Sequence, residues 1–145
     1  KRDNPHFKKS QRDDLHSMEI GLLGFKGRVH FQISPCINDE LDKLSAIDEK
    51  SELLANMLKV IDKAIHTNYK IYPGNYIAYD ILDGQKRFAD RYTNKDQTTF
   101  ANYLNSQLAK IPDVTSKDKD FLKERILSMY ANPLKNQLIA LGKKA

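Results

Sequence analysis

This sequence has a single cysteine, Cys36, no apolar run near the roughly 18 residues of a membrane span, and no second β-strand to match the one it suggests. The lone cysteine excludes an internal disulfide and points to a reducing compartment. Without a long apolar run, and with a basic start that no apolar stretch follows, the chain reads as soluble or peripheral to a membrane, without a signal peptide. Internal repeats, low-complexity tracts and a clear domain linker are lacking too.

What is present is 145 residues with 40% apolar content, enough for one small core, and a formal charge of +5. The charge sits at the ends. Residues 1–12 carry +4 and Lys135, Lys143 and Lys144 add +3, which leaves residues 13–134 at −2. The folded part is therefore not basic, and nucleic-acid binding is not expected; basic ends of this kind usually only solvate the chain termini.

Val29, Phe31 and Ile33 alternate with polar neighbours over residues 28–33, which predicts a β-strand. A lone strand cannot satisfy its own backbone N–H and C=O groups. Taken with an opening at Lys1 rather than methionine, this suggests the carboxyl-terminal part of a larger protein whose sheet lies mostly upstream.

The rest reads as helices. Leu15, Met18 and Leu22 give an apolar stripe beginning near Asp13 and Asp14 and ending at Gly24, and Asn38 can cap a short helix through Leu44. The strongest helix runs from about Asp48 to Thr67, with Leu54, Met57, Leu58, Ile61 and Ile65 on a face that must bury. Pro73-Gly74 breaks an aromatic-rich connection before a short helix at Ile77–Leu82, and Asp83-Gly84 forms a turn. Asn94 with Gln97 predicts a capping box for a helix to about Lys110, with Phe100, Tyr103, Leu104, Leu108 and Ile111 inward and Pro112 as its stop. Another helix starts near Ser116, buries Phe121, Leu122, Ile126 and Tyr130, and yields before Pro133; Leu134–Leu141 adds a last helix ending at Gly142.

The expected fold is thus α+β and mostly helical, with five or six helices and one principal β-strand. Residues 1–12 form an irregular basic segment, 13–37 a helix plus the last strand of an α/β domain, and 38–145 a helical extension.

Chemistry is sparse. Gly21, Gly24 and Gly27 lie after a helix and before a strand, the reverse of a phosphate loop. His6, His16, His30 and His66 lack metal-type pairing, so no metal site is expected, and Cys36 has no local support as a nucleophile. Asp62 and His66, four apart, can form either an orienting pair for proton transfer or a solvated helix pair. Tyr69, Tyr72, Tyr76 and Tyr79 can stack bases or act as a packing latch, and the latch is preferred, with Asp80 tying down a turn. The charges of Lys117 to Arg125 alternate in sign, as on an exposed helix face.

Three stretches carry a more specific signal: residues 26–31 (KGRVHF) with Pro35 behind them, residues 65–70 (IHTNYK) continuing into 75–80 (NYIAYD), and residues 129–133 (MYANP). In this order, and with the helices between them over roughly 14–136, they resemble the carboxyl-terminal part of bacterial glycerophospholipid acyltransferases of the 1-acylglycerol-3-phosphate type. The resemblance implies that KGRVHF is the late strand closing a catalytic α/β domain. It also implies a parent enzyme that moves an acyl group from acyl-coenzyme A or acyl carrier protein to a lysophospholipid at the cytoplasmic membrane surface.

The family's catalytic histidine is followed five positions later by aspartate. Here His6, His16, His30 and His66 have Gln11, Gly21, Pro35 and Ile71 at that position, and the phosphate-contacting Glu, Gly and Arg motif is absent. The expectation is therefore a non-catalytic portion with no catalytic, cofactor-binding or metal residues of its own. Its partners would be an upstream catalytic domain and, through the parent, the cytoplasmic membrane. The alternative is a helical interaction module forming a homodimer in which two copies pair strands across a symmetry axis.

Overall fold

The structure, a computed structural model, describes residues 6, 8–24, 27–111 and 116–145, the side chains of 116 and 117 excepted. The expected stop at Pro112 lies outside these residues. The described chain is helical, about two thirds of it, and contains no β-strand. It divides into residues 1–31 and 32–145.

In the first unit, α1 (Gln11–Leu23) begins two residues before the expected acidic pair because Ser10 caps it. Ser10 Oγ accepts from the Asp13 N–H at 3.2 Å, and Asp13 Oδ2 accepts from the Ser10 N–H at 2.9 Å, a reciprocal box that satisfies two otherwise unpaired donors. The Leu15, Met18 and Leu22 stripe is exposed within this unit.

The predicted strand at 28–33 does not form. Its would-be inner residues Phe31 and Ile33 are each 91% exposed and Val29 is exposed as well. Alternation makes a strand possible, but a ladder needs a second chain segment to bond with, and no described residues supply one. The α+β assignment is corrected accordingly to all-helical.

The second unit holds α2 (Asn38–Asp42), α3 (Lys50–Thr67), α4 (Pro73–Asp83), a 3₁₀ turn (Ala89–Arg91), α5 (Asn94–Leu108) and α6 (Ser116–Ala140). Helix α4 is the centre, packed on α6, α5 and the 3₁₀ turn, while α3 lies against α6. The core joins Ile77, Ala78 and Tyr79 of α4, Phe100 and Leu104 of α5, and Leu127, Ala131, Leu134 and Leu138 of α6. The α6 set recurs at four, three and four residues, the spacing of one helical face.

Two expectations about breaks are overturned. Pro73 starts α4 instead of interrupting the chain, since its missing N–H is one a first-turn residue does not need. Gly74 follows because a Cβ there would stand 3.1 Å from the Phe100 ring, so its absence lets α4 approach α5. Gly84, with φ of +69°, closes α4 in the left-handed region, as the expected turn requires. At the other end of the unit, α6 continues through Pro133. The core stripe runs unbroken from Leu127 and Ala131 to Leu134 and Leu138, so burial on both sides of the proline holds the two expected helices together as one.

Helix α3 begins after Glu49, whose carboxylate accepts from the N–H groups of Ser51 (3.1 Å) and Glu52 (2.6 Å). Those bonds, with one from the Ser51 hydroxyl as the largest cause, hold the Glu49 carboxyl below its ordinary range. The face expected to bury does so only at its edge: Met57 and Ile61 are half-buried, while Leu54, Leu58 and Ile65 are 56%, 51% and 48% exposed. The half-buried face is rotated toward Leu53, Val60 and Ala64. Adjacent apolar pairs such as Leu53-Leu54 and Val60-Ile61 make an apolar arc wider than one partner helix covers.

Candidate functional site

The polar centre of the molecule is Asp80, 5% exposed, on the inner face of α4. Its Oδ1 and Oδ2 accept from the Phe88 N–H at 3.2 and 3.1 Å, and Oδ2 accepts from the Tyr92 hydroxyl at 2.8 Å. A buried carboxylate is costly unless its lone pairs are used. Here they fasten the 83–92 connection to α4, which is the turn-tying role expected of Asp80. Burial, reinforced by the bond to Asp80 and by its charge, raises the Tyr92 hydroxyl above its ordinary pKa.

Of the four tyrosines of the connection, Tyr76 and Tyr79 behave as the latch. Tyr79 is buried, Tyr72 and Tyr76 are half-buried, and Tyr69 lies at the surface. Phe88 packs edge-on to Tyr79, with ring centroids 5.5 Å apart, and tilted against Tyr76 at 5.4 Å. The Arg87 guanidinium lies 5.1 Å from the Phe88 centroid and donates to the Tyr79 hydroxyl at 3.2 Å. It also donates to the Lys144 carbonyl, pinning the chain beyond α6 to α4. With rings engaged this way, Tyr76 and Tyr79 are not available to stack nucleic-acid bases.

A groove of about 540 Å³ opens beside Asp80, with Ile77, Ile81, Phe100 and Leu104 as its apolar lining and Lys86 and Lys123 among its polar residues. No histidine, cysteine or second carboxylate reaches it among the described residues. The titratable groups that share the groove with Asp80 are Tyr92, which already donates its hydroxyl proton to the carboxylate, and the lysines Lys86 and Lys123.

The remaining candidates are dispersed. Asp62 and His66 both line a second groove, between α3 and the end of α6, yet no hydrogen bond joins them; the His66 ring lies 5.3 Å from the Tyr69 ring. His16 pairs with Glu19 at 3.7 Å on the exposed surface of α1, and His6 and His30 are exposed. Cys36 is an exposed free thiol. Among the described residues no three acidic, histidine or cysteine side chains converge as a metal site, and no helix is long and apolar enough to cross a membrane.

Three organising residues escaped the sequence reading. Asn75 accepts from the Tyr72 N–H through Oδ1 at 2.8 Å and donates from Nδ2 to the Tyr130 carbonyl, also at 2.8 Å. Gln137 donates to the carbonyls of Thr67 (3.3 Å) and Tyr69 (2.8 Å), and Arg87 binds as described. Asparagine three residues after the residue preceding a Pro-initiated helix was a readable capping signal for Asn75; the partners of Gln137 and Arg87 lie too far along the chain to be read locally. Comparison of the chain with protein-family models, with curated proteins and with solved structures found no match in any of the three.

Proposed function

We propose that this chain is a non-catalytic portion of a glycerophospholipid acyltransferase, a helical scaffold for a catalytic domain that transfers an acyl group from a thioester to a lysophospholipid at the membrane surface. The observation that carries the reading is where the motif-like residues sit. Residues 75–80 and 129–133, two of the three stretches that resemble the family, meet along the α4–α6 seam, joined by the bond from Asn75 to the Tyr130 carbonyl. Asn75, Tyr79, Asp80 and Tyr130 are each engaged by partners within this helical unit, so their place in the motif is accounted for by architecture. In this reading the base that takes the proton from the acceptor hydroxyl, and the donors that stabilise the tetrahedral oxyanion, belong to the catalytic domain.

Acyl transfer from acyl-coenzyme A to lysophosphatidate, measured with these 145 residues alone and with the same residues joined to a domain bearing the histidine–aspartate signature, tests the proposal. Turnover only by the joined protein is expected; turnover by the chain alone would refute it. One observation favours a second reading, a helical interaction module that pairs with its own copy: Leu54, Leu58 and Ile65 stay exposed on α3. Sedimentation of the wild type and of Leu54→Glu separates the two, since a monomeric wild type removes the second reading.

A further inference from the structure

We infer that the flank of α3 and the end of α6 form a docking face for an anionic lipid surface. Lys59 and Lys63 of α3 share one open groove, about 900 Å³, with Ile139 and Leu141 at the end of α6. Ile139 is 59% and Leu141 45% exposed, so apolar side chains stand beside cations with no described residue of the unit covering them. The sequence adds more cations to the same end. Lys135 precedes Ile139 by one helical turn on the same side of α6, and Lys143 follows Gly142, the groove's last residue.

The tail is held in place. Gly142 turns the chain with φ of +66°, the Lys143 N–H donates to the Leu138 carbonyl at 2.8 Å, and Arg87 donates to the Lys144 carbonyl. Lys143 and Lys144 are thus carried by ordered backbone. None of Lys63, Lys135, Lys143 and Lys144 has an ion-pair partner among the described residues, and Lys59 bonds only to the Asn56 amide oxygen at 3.3 Å. Among the described residues Asp62 is the one carboxylate lining the groove.

The occupant follows from this chemistry. Lysines around a small exposed apolar centre match an anionic bilayer, in which phosphates meet the ammonium groups and Ile139 and Leu141 enter the headgroup boundary. A nucleic acid would want aromatic platforms beside its phosphates, and no tyrosine, phenylalanine or tryptophan is among the described residues lining the groove. The inference goes beyond the acyltransferase proposal and is tested without any assay of acyl transfer, so either can fail while the other stands.

Sedimentation of the full chain with vesicles of phosphatidylcholine alone, or of phosphatidylcholine with phosphatidylglycerol, at low and high salt, provides the test. Binding to the anionic vesicles and its weakening by salt are expected. Lys63→Glu and Lys143→Glu, on separate elements, should each lower partitioning at least about fivefold, and Ile139→Ser should lower what remains at high salt. Circular dichroism checks the fold of each variant, and the neutral variants Lys63→Gln and Lys143→Gln replace any reversal that loses helix. Equal binding to both vesicle types overturns the inference. So does binding to anionic vesicles that is unchanged in these variants but lost in Lys8→Glu/Lys9→Glu, which would assign it to the basic amino-terminal segment.

Discussion

The Asn75 side chain donates to the carbonyl oxygen of Tyr130 at 2.8 Å, bridging α4 and α6 across 55 residues of sequence. The bond falls where α6 is weakest. Pro133 has no N–H to offer the Met129 carbonyl, and its ring strains the turn that contains Tyr130. A donor from the neighbouring helix stabilises this turn, while the other end of the same amide fixes the start of α4.

Removing this amide should therefore cost two functions at once. Asn75→Ala is expected to destabilise the chain by about 1–3 kcal/mol in urea unfolding, from the lost cap and the lost interhelical bond. Asn75→Asp separates them: it keeps an acceptor for the Tyr72 N–H but turns a second oxygen toward the Tyr130 carbonyl. It should be destabilised as well, with α4 still formed by circular dichroism. An Asn75→Asp chain as stable as the wild type would show that the interhelical bond contributes nothing.

The proline itself gives the complementary experiment. Pro133→Ala restores a backbone donor and relieves the ring, so stability should rise, by less than the roughly 3 kcal/mol helix cost of proline because the unfolded chain also gains freedom. Thermal unfolding of the wild type, Pro133→Ala, Asn75→Ala and the double variant measures their coupling. If Asn75 compensates for the proline, Asn75→Ala costs less when residue 133 is alanine.

These residues mark what the sequence could and could not reveal. Helices α3 and α5 were legible because a 3.6-residue apolar period and capping groups are local: α3 starts two residues after Asp48, and α5 is capped by a Thr93–Asp96 box one residue before the expected Asn94–Gln97 and ends at Leu108, two before Lys110. The role of Asp80 was legible from its place beside Tyr79 in the latch. Pro133 was misread because its local cost is outweighed by burial of Leu134 and Leu138 against distant helices. The strand was misread for the converse reason: the alternation of Val29, Phe31 and Ile33 describes one side of a pairing, and no pattern within six residues reports whether a partner exists. Arg87 was invisible because its partner, the Lys144 carbonyl, is 57 residues away.

Asp80 sets the mutational response of the α4 connection. Asp80→Ala leaves the half-buried donors of Phe88 and Tyr92 without an acceptor and should cost roughly 1–3 kcal/mol, with Tyr92→Phe costing about 1. Because the two share a bond, the double variant should lose less than the sum of the singles.

Tyr92 and Tyr130 are both raised above the ordinary tyrosine value of 10.0, each chiefly by burial and then by a hydrogen bond, to Asp80 and to the Tyr103 hydroxyl respectively. Below pH 10 both are neutral folded or unfolded, and their contribution to stability is intact. Above it the unfolded chain releases protons that the folded chain retains, so stability should fall as pH rises. Urea unfolding at pH 9 and pH 11 should show the fall, smaller in Tyr92→Phe and in Tyr130→Phe. A fall identical in all three proteins would mean that neither hydroxyl carries the linkage.

The amides of Phe31 and Ile33 offer a test that bears on the acyltransferase proposal. Both side chains are almost fully exposed and no strand ladder encloses their backbone among the described residues, so hydrogen exchange should be fast there while Leu104 and Leu127, within the core helices, exchange slowly. An added catalytic domain that packs on residues 28–33 would remove apolar surface from water and slow these amides selectively. Mass-spectrometric exchange on the 145 residues alone and on the joined protein reads the difference. Protection around Phe31 only in the joined protein supports the scaffold reading; equally fast exchange in both would mean that the domain does not use this segment, and the proposal would lose its most exposed point of attachment.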